Sequence, residues 1–305
     1  MRDELAGALI PLAGHPDMVF LTGDLGYGLF DGLADALGDR FINAGVAEQN
    51  MVSVAAGLAR AGFRPWVYSI APFLFARPFE QVRNDVCLHN LPVTLLGNGG
   101  GLGYGTLGPT HHAVEDYGVL LTLPNIRVFS PAFDQDVAAV VTRAHELAGP
   151  SYVRLGRGEL PAGESAPDYA PWRCILHGTG PVVFTTGTIS GAVWSALRHV
   201  EGAHRPEIWI VSELPLTDGL PEQAIHRIAQ GAPIVVVEEH VEQGGLGSIL
   251  AHWLLTHGVP VTKMVSLGLE SVSLGTYGRQ QYLRDFAGLG DEAIRDAVIR
   301  VGGSE

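Results

Sequence analysis

Cysteine is nearly missing: Cys87 and Cys174 are the only two in 305 residues. They form no CxxC pair, and two thiols cannot build a thiolate metal cluster, so two buried, reduced thiols are expected. Positive charge is also scarce. Nineteen Lys and Arg stand against 32 Asp and Glu, a formal net charge of −13. Such a chain is poorly suited to nucleic acid or an anionic membrane surface. A small anionic substrate is not excluded, because it needs only a few local cations. No apolar run approaches the ~20 residues that span a bilayer. The opening MRDELAGALI is too short and too charged for a secretory signal. A cytoplasmic protein is expected, with no nucleic-acid or membrane partner.

What is present is apolar sequence, finely divided. Hydrophobic residues make up 47% of the chain, and its 40 glycines and 19 prolines fall between apolar runs. That composition fits a globular chain with many turns, and the length predicts two domains. Short runs read as strands at MVFLTG (18–23), RPWVYSI (64–70), LPVTLLGN (91–98), IRVFSP (126–131) and SYVRLG (151–156). Helices are predicted at 45–61, 77–89 and 134–148. In the first of these, Ala47, Met51, Val54, Ala55 and Leu58 recur at helical spacing while Val46, Val52 and Ala56 fill other faces. A helix apolar nearly all round is expected to be buried. Strands alternating with helices imply a parallel sheet covered on both faces.

The stretch from Gly158 to Trp172 carries little apolar periodicity. It places a linker at 161–175, between a first domain over 1–160 and a second, smaller α/β domain over 176–305. There the alternation restarts, with strands at 180–187, 207–214, 232–240 and 259–267 and helices at 188–201 and 245–258. No internal repeat is visible.

Four features carry possible chemistry. Glu48 opens an apolar helix, where it either caps the N-terminus or, as a carboxylate entering a buried helix, needs a partner such as a ligand nitrogen. The run GNGGGLGYGTLGPTHH (97–112) is a loop that lets a ligand approach closely. It lacks the lysine of a P-loop and is not a GxGxxG opening a helix. Its adjacent histidines diverge and have no cysteine or HExxH companion, so no metal site is read there. His111 and His112 are each either structural or a proton-transfer group. In APFLFARPFEQVRND (71–85), Phe73, Phe75 and Phe79 are core residues or a stacking platform. Arg77, Glu80 and Arg83 share a helical face that reads as salt-bridged surface. Arg154 and Arg157, in VRLGRGELP, offer either an anion site or an interdomain ion pair.

In order along the chain, TGDLGYGLFD, RFINAGVAEQNMVSVAAGLA, RPFEQVRND, GPTHH, PNIRVFSP, YVRLGRG and VVVEEHVEQGGLGS resemble the C-terminal half of transketolases, above all the forms split into two chains. The resemblance runs from about residue 18 to 265. It implies a parallel-sheet α/β pyrimidine-binding domain for thiamine diphosphate, followed by the smaller α/β transketolase C-terminal domain. It also assigns roles. Glu48 hydrogen-bonds the N1′ nitrogen of the cofactor's aminopyrimidine and so activates it. Phe73 stacks on that ring, and Asp24, in GDLG, lies near the cofactor at the subunit interface. His111 donates a hydrogen bond or proton to a substrate oxygen. Arg157, with Arg154 beside it, binds the acceptor phosphate.

Two departures from the family pattern sharpen the expectation. The GDG…N motif that holds Mg²⁺ and the diphosphate is absent from the chain. A separate N-terminal diphosphate-binding subunit is therefore implied, in an α₂β₂ arrangement. Pentose-phosphate transketolases carry His-Asp-Ser and an acidic pair where this chain has Gly99-Gly100-Gly101 and Thr106-Leu107. Those groups contact sugar hydroxyls and phosphate, so a specialised two-carbon ketol transfer between a sugar or keto donor and an acceptor is expected. The alternatives are the β subunit of a 2-oxo-acid dehydrogenase, a deoxyxylulose-phosphate-synthase-like decarboxylating enzyme, or a non-catalytic scaffold.

Overall fold

The computed structural model describes residues 1–303; the last two residues of the predicted second domain, 304 and 305, lie outside them. The first sheet has seven strands, of which six are parallel: β1 (Met18–Thr22), β2 (Phe41–Asn43), β3 (Arg64–Ile70), β4 (Thr94–Asn98), β5 (Arg127–Phe129) and β6 (Ser151–Leu155). Their order in space is β5-β6-β4-β3-β1-β2. Successive side chains leave opposite faces of a strand. In β1, Val19 and Leu21 enter one core while Met18 and Phe20 enter another. Both faces are covered, which is why these strands read as unbroken apolar runs.

The second sheet contains β7 (Trp172–Leu176), β8 (Val182–Thr186), β9 (Glu207–Val211), β11 (Ile234–Val241) and β12 (Met264–Leu269), in the order β12-β11-β8-β9-β7. Only β7 runs antiparallel to its neighbour. Phe184 and Val236 join the core that also holds Val19 and Leu21, whereas Val183 and Val235 face a separate one. One apolar core therefore continues from the first sheet into the second.

Several elements depart from the sequence reading. Strand β7 begins at Trp172, inside the predicted linker, so the segment without helix or strand is 156–171. The run 207–214 is not one strand. It breaks at Ser212, and β10 (Glu213–Leu214) crosses to pair antiparallel with Phe129 and Val128 at the edge of the first sheet. Arg143 Nε holds Glu213 Oε1 there at 2.6 Å. The helix predicted over 77–89 is a short turn, Phe79–Gln81, followed by a π-type turn, Val82–Cys87. Pro78 lacks the N–H that would carry the preceding one-turn helix, Ala71–Phe75, on into this segment. The helix Glu48–Arg60 is not buried all round. Met51, Val52, Ala55 and Ala56 face the core, but Gln49, Asn50, Ser53 and Val54 are exposed.

Candidate active site

The carboxyl ends of β1, β3, β4 and β6 open on one edge of the first sheet, the edge at which open parallel sheets bind ligands. Glu48 sits beside that edge as the first residue of its helix and is 2% exposed. The turn that follows β1 passes close by: a Cβ on Gly23 would lie 3.7 Å from Glu48 Oε1. Ser69 Oγ, at the end of β3, lies 3.5 Å from the same oxygen. Arg77 Nη1 donates to Glu48 Oε2 at 2.6 Å.

Asp24 follows Gly23 in a left-handed conformation, φ 60°. It is exposed and does not touch Glu48. Asn43 Nδ2 donates to its carboxylate at 2.9 Å and the Tyr27 hydroxyl also donates to it. Those two hydrogen bonds, Asn43's first, hold its pKa below the usual carboxylate range.

Phe73 stands in the short helix Ala71–Phe75 that follows β3, with one face beneath Arg77, whose guanidinium carbon is 4.3 Å from the ring centre. His111 meets Phe73 edge-on, with centroids 5.1 Å apart. His111 Nδ1 is 2.9 Å from Thr110 Oγ1, and its ring lies 6.4 Å from that of Tyr104. Glu48, Arg77, Phe73, His111 and Tyr104 thus form one continuous row. Beyond Tyr104 opens a cleft of about 1340 Å³ between the two domains, with Arg2, Arg157, Thr188 and Arg279 on its walls.

The structure separates the two arginines of VRLGRG. Arg157 is exposed in the cleft. Arg154 is 4% exposed and faces away from it. Its Nε donates to both oxygens of Asp116, at 2.8 and 3.1 Å, and its Nη2 donates to the carbonyls of Ala113 and Glu239. Asp116 belongs to the first domain, as Arg154 does, so the ion pair lies within that domain, and the hydrogen bond to the Glu239 carbonyl reaches the second. The side chain has no approach to a ligand in the cleft. His112 is likewise interior. It is 1% exposed, with Nδ1 3.3 Å from the Val272 carbonyl.

The second domain grips the segment that follows His111. Val241 N–H donates to Val114 O at 2.7 Å, and Gly118 N–H donates to His240 Nε2 at 3.2 Å. His240 stacks on Tyr117 at 4.0 Å, and burial pushes its pKa down to about 4. The Tyr117 hydroxyl donates to Glu238, which also accepts the N–H groups of Leu246 and Gly247 at the start of a helix.

Three residues of this region were not singled out from sequence as site residues: Arg2, Arg77 and Tyr104. Arg77 read as part of a surface face. Its contact with Glu48 spans 29 positions and arises only where the segments after β2 and β3 converge. No local signal marks it.

Among the described residues, no group of three His, Cys, Asp or Glu side chains converges as a metal site, and no helix is long and apolar enough to cross a membrane.

Residues 10–163 match the family described as the transketolase pyrimidine-binding domain. The B-type chain of the apulose-4-phosphate transketolase of Actinobacillus succinogenes is 31% identical over 86% of this chain and 84% of its own length. A 1-deoxy-D-xylulose-5-phosphate synthase 2 from Geobacter sulfurreducens is 33% identical over 85% of this chain, but over only 42% of that longer protein. Among solved structures, a split-gene transketolase described as an inactive β4 tetramer superposes with a TM-score of 0.83 at 29% identity. That match covers 98% of this chain and 97% of the other. The fold, the order of the motifs and these full-length matches agree: the chain belongs to the transketolase family, as a C-terminal subunit of its split form.

Proposed function

We propose that this chain, joined to an N-terminal subunit holding Mg²⁺ and the diphosphate in an α₂β₂ assembly, transfers a two-carbon ketol unit from a ketose phosphate to an aldehyde acceptor. Thiamine diphosphate, when bound, supplies the nucleophilic carbon and the electron sink. The observation that carries the reading is the pair of contacts made by Arg77. A planar, nitrogen-bearing group already hydrogen-bonds the Glu48 carboxylate and stacks on Phe73. An aminopyrimidine is planar and nitrogen-bearing too, so the residues fit that end of the cofactor.

In this reading Glu48 holds a proton at the ring nitrogen from a site closed to water. Phe73 orients the ring. Asp24 and the exposed Asn50 and Val54 of the Glu48 helix face the partner subunit, together with Val46 and Tyr27, each 74% exposed. His111, fixed edge-on to Phe73, donates to the substrate oxygen. Arg157 and Arg2 bind the phosphate, and Arg154 holds the loop that carries His111. The cytoplasm is the compartment that fits this chemistry.

Apulose 4-phosphate, the compound in the relative's name, is the first donor to try with the purified two-subunit complex. Glu48→Gln should lower turnover by orders of magnitude, since the amide cannot hold the proton as the carboxylate does. Unchanged turnover would end the catalytic assignment and leave the scaffold reading. The second reading, decarboxylating condensation, rests on the 33% identity to the deoxyxylulose-phosphate synthase. Release of CO₂ from pyruvate, with no transfer from any ketose, would favour it.

A further inference from the structure

Tyr104 belongs to a glycine-rich loop but is held like a framework residue. Asn98, 6% exposed at the end of β4, donates from Nδ2 to the Tyr104 oxygen at 2.6 Å. Gly99 has φ +81°, and a Cβ there would overlap the Tyr104 ring, so the glycine makes room for the aromatic side chain. The ring meets His111 nearly edge-on, at 72°. On its other side it lines the cleft beside Arg2 and Arg157. Burial pushes the hydroxyl's pKa up against the opposing fields of those two arginines, and the hydroxyl stays protonated at neutral pH. Its oxygen accepts from Asn98, and among the described residues its proton has no protein acceptor. A donor is therefore free to meet something in the cleft.

We infer that Tyr104 is a specificity-determining residue that hydrogen-bonds a phosphorylated sugar lying between His111 and the Arg2–Arg157 pair. The inference rests on the ketol-transfer reading. The physical need is visible in the loop itself. Thr106 and Leu107 stand where an acidic pair is expected among the groups that meet sugar hydroxyls and phosphate, so this loop requires another polar group to select a phosphorylated sugar. Tyr104 supplies it from two positions earlier, with its rotamer locked by Asn98 and its ring closing the wall of the cleft.

The test compares Tyr104→Phe and Tyr104→Leu with wild type in the two-subunit complex. A ketose-phosphate donor is used, with glyceraldehyde 3-phosphate or glycolaldehyde as acceptor. The kcat/KM ratio of the phosphorylated to the unphosphorylated acceptor should fall about tenfold in Tyr104→Phe, carried by KM, as expected for one lost hydrogen bond. It should fall further in Tyr104→Leu. A ratio within twofold of wild type, including an equal loss with both acceptors, overturns the inference. If the wild-type complex is inactive with every ketose, the ketol-transfer reading fails by itself. Calorimetric titration of the complex with ribose 5-phosphate still decides on Tyr104: about tenfold weaker binding by Tyr104→Phe supports the contact, and equal binding refutes it.

Discussion

Arg77 makes a 2.6 Å ion pair with Glu48 and at the same time lies 4.3 Å over the ring of Phe73. Without a cofactor a buried carboxylate needs a counter-charge, and Arg77, 42% exposed at its side chain, reaches in from the surface to provide it. In the proposed function the aminopyrimidine would occupy the same two surfaces as the guanidinium. On that reading cofactor entry would require Arg77 to withdraw.

Arg77→Ala in the two-subunit complex should lower the thiamine diphosphate concentration for half-maximal activity by about threefold. The estimate comes from the modest strength of an exposed ion pair and a cation–π contact. A titration of apo-complex with cofactor measures it. A higher half-saturating concentration would show that Arg77 stays beside the bound cofactor instead.

Arg154→Met leaves Asp116 buried with only the Tyr152 hydroxyl, 2.8 Å away, as a side-chain partner. Losing one member of a buried pair costs about 3–5 kcal/mol. Urea denaturation of the variant should show a loss of that order. A loss below about 1 kcal/mol would contradict the buried ion pair with Asp116.

His240 sets an acid limit on the fold. Its ordinary pKa is 6.5 and its folded value is about 4, lowered first by burial. Between those values the unfolded chain binds more protons than the folded one, so stability is full above pH 6.5 and declines as the pH falls toward 4. Asp116, Arg154 and Tyr117 face it, and the Tyr117 hydroxyl links it to Glu238. Glu238 acts in the opposite sense: burial raises its pKa above the ordinary 4.5, so its contribution is lost as the pH rises through the raised value. His240→Phe removes one of these two opposed titrations and keeps an aromatic ring against Tyr117. Its denaturation midpoint should fall less steeply than wild type between pH 6.5 and 4. An unchanged slope would mean that His240 does not govern the acid limb.

The local structure around the candidate row was largely legible along the chain. Glu48 begins its helix where the apolar period begins, and β3 covers the seven residues read as a strand, Arg64–Ile70. Such features depend on neighbours in sequence. What was hidden depends on approach in space. Arg77 looked like surface because its partner is 29 residues away. Arg154 and Arg157 looked equivalent because they are three apart, yet one ends inside a strand and the other just beyond it. The break at Ser212 was invisible because both halves of 207–214 are apolar enough for a strand, and only the pairing with Phe129 sends the second half to another sheet.

That crossing has a consequence for how the molecule is made. Strand β5 would be an unpaired edge of the first sheet without β10, and an open edge invites pairing with other chains. Its cover is synthesised some 85 residues after β5, on the far side of the predicted domain boundary. The nascent first domain stays adhesive until Leu214 has emerged, and a fragment ending near residue 160 would keep that adhesive edge for good.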